Sequence, residues 1–491
     1  MSNGSNLRWH DLLLHQAQTR PDARAFSDGL GTNWSWKQAA EAAQDACQAL
    51  QNAGVKPGDR VILLAENCCA AAAFLFGASI LGAPIVPFNA RQTPGELDRV
   101  IAHAEPAAIV MLSKISPDAQ AHATRMNASR ITGRFGAVHI AQGTGTPDPL
   151  DDVAVILYTT GTTGDPKGVM LTHGNMRFGG KTSATLRWMT PDDVIYGALP
   201  ISHVFGLASV VTAATFIGAY VRFEARFSAE KLYHALLDDV TLLSAVPQMH
   251  ALLMQYVKEQ GLDQLRGSKL RYVSSGGAPL DPDWKHRAEA FYGVPLQNGY
   301  GMTETTAGIA ATQHLTRNDD ISCGPALPDV EIQATADGQL RTRGPHVMQG
   351  YFRAPDLTAD VLDPDGWFST GDLGQIDETG RVTILGRLKE LIIHGGFNVY
   401  PPEVEAVLSD HPQIIQAAVI GHIVEGDEKI FAFCQVAPDD APSENDLAAW
   451  VKERLVGYKR PWRILCAESL PAAATGKILK HKLKDAFSEA F

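Results

Sequence analysis

At 491 residues the chain is too long for one hydrophobic core and calls for at least two domains. Apolar residues make up 45% and charged residues 20%, an ordinary globular composition. A net charge of -12 disfavours a nucleic-acid partner, whose phosphates need a basic face. Six cysteines (Cys47, Cys68, Cys69, Cys323, Cys434, Cys466) show neither metal-ligand spacing nor a dense pairing pattern, and read as reduced thiols of a cytoplasmic protein. The N-terminal MSNGSNLRWHDLLLHQ lacks the basic-then-apolar order of a signal peptide.

In chain order, AEAAQDACQALQNAGV (40–55) predicts an amphipathic helix ending near Gly54, and RVILLA (60–65) a buried strand. Two apolar runs, 70–88 and 204–221, approach membrane-spanning length, but their Gly, Pro, Ser and Thr content fits a buried helix feeding a buried strand. TPGELDRVIAHAEPAAIVML repeats the scheme with a helix from Thr93, a break at Pro106 and a strand to Leu112. This alternation implies parallel sheets covered by helices. The polar stretch Ser113 to Leu150 is expected to be loop and irregular structure. VAVILYTT (153–160) predicts a strand entering a glycine-rich loop, FSAEKLYHALLDD a capped helix and TLLSAVP a strand. From Val330 to Val382 the pattern turns β-rich. A boundary near Gly386-Arg387 leaves a tail with two helices (PPEVEAVLSDH, ENDLAAWVKERL) and two strands (AAVIGH, KIFAFCQV). The fold class is therefore α/β. A large N-terminal domain of helix-covered parallel sheets plus a β-rich subdomain (1–386) precedes a small α+β C-terminal domain (387–491).

The sharpest local signal is YTTGTTGDPKG, Tyr158 to Gly168. Glycines and hydroxylated residues expose backbone N–H groups and hydroxyls to an anion, and Lys167 adds a cation. The spacing is not that of a Walker A loop, and kinase signatures are also missing. Downstream stand LPISHVFGL (199–207), SSGGAPL (274–280), NGYGMTET (298–305), GWFSTGDLG (366–374), GRLKELIIHGGFNVYPPEVE (386–405) and TGKILK (475–480).

These blocks, in this order, resemble the adenylate-forming (AMP-binding) superfamily of acyl- and aryl-CoA synthetases, which also holds peptide-synthetase adenylation domains and firefly luciferase. The resemblance spans essentially the whole chain. It implies an ATP-dependent acid–thiol ligase that activates a carboxylic acid as acyl-AMP, releases pyrophosphate and passes the acyl group to coenzyme A. The alternative acceptor is a carrier protein. ATP, Mg²⁺ and coenzyme A are the implied cofactors.

By resemblance, Thr159, Thr160, Gly161, Thr162, Thr163, Gly164 and Lys167 hold the leaving phosphates. Thr303 contacts the α-phosphate and Glu304 ligates Mg²⁺, a hard cation suited to carboxylate and phosphate oxygens. Gly276, Gly277 and Ala278 pack against adenine with Tyr300 opposite, inside the block Asn298, Gly299, Tyr300, Gly301, Met302. Asp372 and Arg387 hold the ribose. Lys477 is the catalytic lysine, bridging the carboxylate and α-phosphate; its neighbours Lys480, Lys482 and Lys484 read as solvated. Lys389 is the hinge about which the small domain turns, bringing Gly395 and Gly396 over the pantetheine arm for the second half-reaction. One departure is that Leu470-Pro471 is followed by alanines where the family often has a basic residue. His203 resembles the residue gating acyl access, with a core histidine as the alternative.

Val204 stands where amino-acid adenylation domains place an aspartate for the substrate ammonium, which disfavours an α-amino acid. The implied acyl pocket (Val204, Phe205, Gly206, Gly276, Gly299, Gly301, Thr306, Ala307) is mostly apolar and small-sided, suiting a fatty or aromatic tail. None of these residues is basic, which disfavours a dicarboxylate such as malonate unless Arg177, Lys181 or Arg222 points inward. IIHGGFNVYPPEVE resembles the CoA-ligase form of its block more than the carrier-protein form. A silent homologue is expected to lose Lys477, Glu304 or Asp372, and all three stand. Luciferase-like oxidation stays a minority reading. Enzymes of this kind are often homodimers, which no residue here decides.

Overall fold

The computed structural model describes residues 7–146, 148, 150, 152–160, 166–277, 280–424, 427–438, 441–472 and 478–491. Two eight-stranded sheets build the large domain. The first runs, in spatial order, through Leu296–Tyr300, Tyr272–Gly276, Leu242–Ala245, Val194–Gly197, Tyr220–Phe223 and Arg24–Ser27, all parallel. An antiparallel strand closes each edge, Ala310–Ala311 and Asn33–Ser35. The second sheet has a parallel centre (Val153–Thr160, Ile85–Asn89, Val61–Ala65, Ala108–Met111) with antiparallel strands added on both sides.

The continuous apolar run of Val61–Ala65 follows from burial on both faces. Val61 and Leu63 enter the core shared by the two sheets, whereas Ile62 and Leu64 enter a separate core behind the second. The helices Trp36–Asn52 and Cys69–Leu81 contribute heavily to the shared core and meet at Gly77, where a Cβ would lie 2.8 Å from the Ala43 carbonyl oxygen. Helix starts follow sequence chemistry: Thr93 caps Pro94–Ala104 in a reciprocal box with Glu96, and Ser228 caps Ala229–Asp238.

Both long apolar runs are a buried helix followed by a buried strand, as expected: Cys69–Leu81 into Ile85–Asn89, and Val204–Ile217 (with a wide-turn middle, Leu207–Thr212) into Tyr220–Phe223. No helix among the described residues is long and apolar enough to cross a membrane. The expectation for Ser113 to Leu150 is corrected. That stretch holds a helix, Pro117–Arg125, capped by Ser116, and a hairpin, Ser129–Gly133 with Gly136–Gln142, that extends the second sheet. Its polarity is that of an edge with one wet face.

The β-rich stretch is a four-stranded antiparallel sheet ending in the hairpin Phe368–Ile376 and Val382–Arg387. Beyond it, Asp427–Val436 lies between Ile414–Val424 (antiparallel) and Arg463–Ala467 (parallel). The helices Pro401–Ser409 and Glu444–Arg454 bury Val404, Leu408, Leu447 and Val451 in that small sheet's core. All six cysteines are free thiols, including the cross-strand partners Cys434 and Cys466.

One buried amide couples the two large sheets. At the exit of Val61–Ala65, the Asn67 Nδ2 donates to the carbonyls of Gly197 (2.8 Å) and Leu199 (2.9 Å), and its Oδ1 accepts from the Ile201 N–H (3.0 Å). It thereby sets where the chain leaves the other sheet just before His203. Asn67→Leu strands three buried backbone groups, so urea titration should show a loss of at least about 2 kcal/mol. An unchanged midpoint would refute this coupling.

Candidate active site

A cleft of about 1990 Å³ opens between the large domain and the small one. Its large-domain wall includes Tyr158, Thr159, Lys167, His203, Val204, Phe205, Gly206, Gly276, Gly277, Asn298 to Glu304, Ala307, Asp372 and Arg387. Lys389 also lines it, and Glu405, Gln416 to Gly421 and Ile478 to Lys480 supply the small-domain wall. Residues scattered over most of the sequence meet because parallel strands end together on one side, where ligand sites of open α/β sheets form.

One end of the cleft is built on the hairpin Val153–Thr160 with Pro166–Thr172, in which Thr159 pairs with Lys167. Lys167 Nζ stands 5.4 Å from the ring centre of Tyr351, whose hydroxyl donates to Glu304 Oε1 at 2.9 Å. Glu304 sits on a short helical turn, Thr303–Thr305, directly after the strand Leu296–Tyr300. Elsewhere in the cleft, the buried Tyr300 hydroxyl donates to Asp372 Oδ2 at 2.7 Å. Burial, and then the Asp372 charge, push the phenol well above its ordinary value, so Tyr300 is a fixed donor. Arg387 Nε approaches Asp372 Oδ1 at 3.3 Å, and the two residues are direct cross-strand partners. Gly276 packs closely against Phe205: a Cβ there would meet the ring at 3.1 Å and require it to shift by a few tenths of an ångström. The His203 Nδ1 accepts from the Phe205 N–H at 3.2 Å, which orients the imidazole at the cleft wall.

Some expected residues fall elsewhere. Thr306 does not line the cleft: with φ +49° it turns inward and its hydroxyl donates to the His346 carbonyl at 2.8 Å. Only the next residue, Ala307, also at positive φ (+80°), faces the cleft, so the backbone turn chooses between them. Gly395 and Gly396 form the tight turn between Ile392–His394 and Phe397–Val399 and lie away from the cleft in this arrangement. Lys480 is not solvated. Its Nζ sits 2.7 Å from Glu390 and 2.8 Å from Glu405; burial disfavours its charge, but the two carboxylates hold its pKa above the ordinary value. Gly161, Thr162, Thr163, Gly164, Ala278 and Lys477 lie outside the described residues, as does the side chain of Thr160. Tyr351 and Arg187 reach the cleft without having been singled out; MQGYF and TLRWM carry no pattern that marks them. Arg177 bonds the Leu7 carbonyl, Arg222 pairs with Asp238 and Asp239, and Lys181 is exposed, so none of the three turns inward.

The chain matches the AMP-binding enzyme family over residues 13–352 and the AMP-binding enzyme C-terminal domain over residues 403–477. It belongs to the AMP-binding enzyme family. A feruloyl-CoA synthase of Amycolatopsis sp is 31% identical over 96% of this chain and 98% of its own. A 2-succinylbenzoate–CoA ligase of Geobacillus kaustophilus is 33% identical over 96% of each chain. Among solved structures, ATP-bound MatB from Rhodopseudomonas palustris superposes with a TM-score of 0.84 at 29% identity, covering 99% of this chain and 100% of that one. The apo structure of MatB gives 0.72. The expected family and the expected architecture of a large sheet domain with a small C-terminal domain are thus both met.

In this AMP-binding enzyme one contact spans the two walls away from the reacting groups. Asp410, after the helix Pro401–Ser409, faces Arg287 of the large domain (3.4 Å), with Asp281 and Asp283 close by. Burial, and then a shared hydrogen bond with Asp281, push its carboxyl up to about 7 against the pull of Arg287. A raised carboxyl pKa favours the protonated, closed contact at low pH and weakens it as pH rises through about 7. Fluorophores on the two domains should therefore report more closure at pH 6 than at pH 8, and Asp410→Asn should remove that difference. Equal closure at both pH values in the unaltered protein would contradict this assignment.

Proposed function

We propose that this AMP-binding enzyme is an ATP-dependent acid–CoA ligase that forms an acyl-adenylate and discharges it onto the thiol of coenzyme A. The observation that carries the proposal is the convergence, in one interdomain cleft, of the Thr159–Lys167 hairpin, Gly276, Tyr300 to Glu304, Asp372 and Arg387. A carboxylate is a weak nucleophile and must approach a polyanion, so fixed cations and donors have to offset repulsion where charge builds up. The attacking carboxylate oxygen bonds to the α-phosphorus and pyrophosphate leaves toward Lys167. Thr303 faces the α-phosphate, and Asp372, already oriented by Tyr300, receives the ribose hydroxyls with Arg387 beside it. Glu304, a single hard carboxylate next to the phosphate end, matches what Mg²⁺ takes when phosphate oxygens supply its other ligands. Bound there, Mg²⁺ would neutralise phosphate charge.

Lys477 is assigned the bridge between carboxylate and α-phosphate. Its flank supports this: Ala472 and Ile478 form an antiparallel bridge, and Ile478 and Lys480 line the cleft. The domains divide at 386/387, at the last residue of the Asp372–Arg387 hairpin, with Lys389 as hinge. The better fit to ATP-bound than to apo MatB supports an adenylating arrangement. Rotation about the hinge would then withdraw Lys477 and bring Gly395 and Gly396 to the thiol's path. His203 and Phe205 stand at the acyl entrance, and the free cysteines fit a cytoplasmic enzyme. Loading of a carrier protein is the second reading; the relatives named for CoA products favour the first.

Pyrophosphate release from ATP and Mg²⁺ over a panel of carboxylic acids tests the proposal. Release should depend on the acid, fall roughly 10²–10³-fold in Lys477→Ala, and yield AMP and acyl-CoA when coenzyme A is present. Release that stops at one adenylate per enzyme despite coenzyme A would select the carrier-protein reading. No release with any acid would defeat both.

A further inference from the structure

Among the described residues, three arginine or lysine side chains are buried: Arg60, Lys285 and Arg187. Arg60 has Asp148 at 3.3 Å and Lys285 has Glu289 at 3.1 Å. Arg187 has no acidic partner within ion-pair distance among the described residues; its guanidinium donates to the Ser209 carbonyl and lies 5.9 Å from the centre of the Tyr272 ring. A buried cation without a counter-ion is costly, and the cost falls away when an anion joins it. Unlike Arg60 and Lys285, Arg187 lines the active-site cleft.

Its position is specific. Arg187 follows the helix His173–Leu186 and shares a face with Ser183, one turn earlier, whose hydroxyl donates to Ser209 Oγ at 3.2 Å. Both serines also line the cleft. The strand Tyr272–Gly276 ends at Phe205 and begins beside Arg187; at about 3.3 Å per residue its ends stand roughly 13 Å apart. Val204, Phe205, Gly206 and Ala307 line the same cleft as Ser183, Arg187 and Ser209, so apolar side chains and a hydroxyl-flanked guanidinium share one cavity. The expectation of a mostly apolar, small-sided acyl pocket does not account for that charge.

Resting on the ligase reading above, we propose that the acid activated by this enzyme carries a second anionic group, a carboxylate, at the far end of its tail, and that Arg187 is the specificity residue that binds it. A guanidinium suits this task because its N–H fork matches a carboxylate's two oxygens. The competing role for Arg187 is purely structural: a cation near a helix C-terminus that ties the helix to the Leu207–Thr212 segment.

The test compares α,ω-dicarboxylic acids of increasing length with their monomethyl esters, which keep length and lose one charge. Pyrophosphate release is followed for the unaltered enzyme, Arg187→Met and Arg187→Lys. At the best length the unaltered enzyme should prefer the diacid by roughly 10- to 100-fold in kcat/KM, mainly through KM. Arg187→Met should invert that preference, and Arg187→Lys, which keeps the charge but not the fork, should retain part of it. Preference for half-esters or simple fatty acids at every length would overturn the inference while leaving the ligase reading intact. So would a loss in Arg187→Met that is equal for diacid and ester, the mark of a structural role. Absence of release with every acid would instead overturn the ligase reading itself.

Discussion

The cross-strand pairing of Asp372 with Arg387 is the constraint on which the rest of the cleft depends. Asp372 belongs to the last hairpin of the large domain, and Arg387 is the final residue of the same hairpin before the chain enters the small domain. In the proposed ligase a nucleoside held at this pair sits where the chain passes from the large domain to the small one. The backbone ladder that pairs Asp372 with Arg387 is thus also the route by which the chain enters the small domain. Tyr300 fixes the other carboxylate oxygen from the neighbouring sheet, which makes Asp372 a junction of the first large sheet, the antiparallel subdomain and the hinge.

Around that junction the molecule spends burial on orientation. Asn67 sets the exit of one sheet relative to the other, Tyr351 holds Glu304, and the His203 ring is fixed by the Phe205 amide. Each is a polar group whose partners are backbone or a second functional side chain, and each would cost more unpaired than it contributes paired. Lys480 extends the pattern to the small domain, where Glu390 of the hinge and Glu405 of the first helix grip it from two sides. The segment after Lys477 is thus anchored to the hinge itself.

The strand leading into the glycine- and hydroxyl-rich loop was legible because its chemistry is local, and Lys167 pairs opposite Thr159 beyond the loop. The apolar strands and capped helices were legible for the same reason, as Thr93 with Glu96 shows. The stretch 113–150 was not, because edge strands and a surface helix share the polarity of loops. Thr306 and Ala307 could not be told apart without the positive backbone angles that turn one inward and one to the cleft. Lys480 read as one lysine among several until the fold put two glutamates beside it. Tyr351 and Arg187 depend wholly on tertiary placement, since nothing in their neighbours' identities distinguishes them from ordinary core and surface residues.

The account's central claim is that the acid's own carboxylate oxygen attacks the α-phosphorus, and the fate of that oxygen tests it most directly. With a heavy-oxygen-labelled carboxylic acid, ATP, Mg²⁺ and coenzyme A, mass spectrometry of the products should find one labelled oxygen in AMP for each acyl-CoA formed, and none in pyrophosphate. Label in orthophosphate, with ADP in place of AMP, would mean an acyl-phosphate route and would contradict the reading of the Thr159–Lys167 hairpin, Thr303 and Asp372 as an adenylating site.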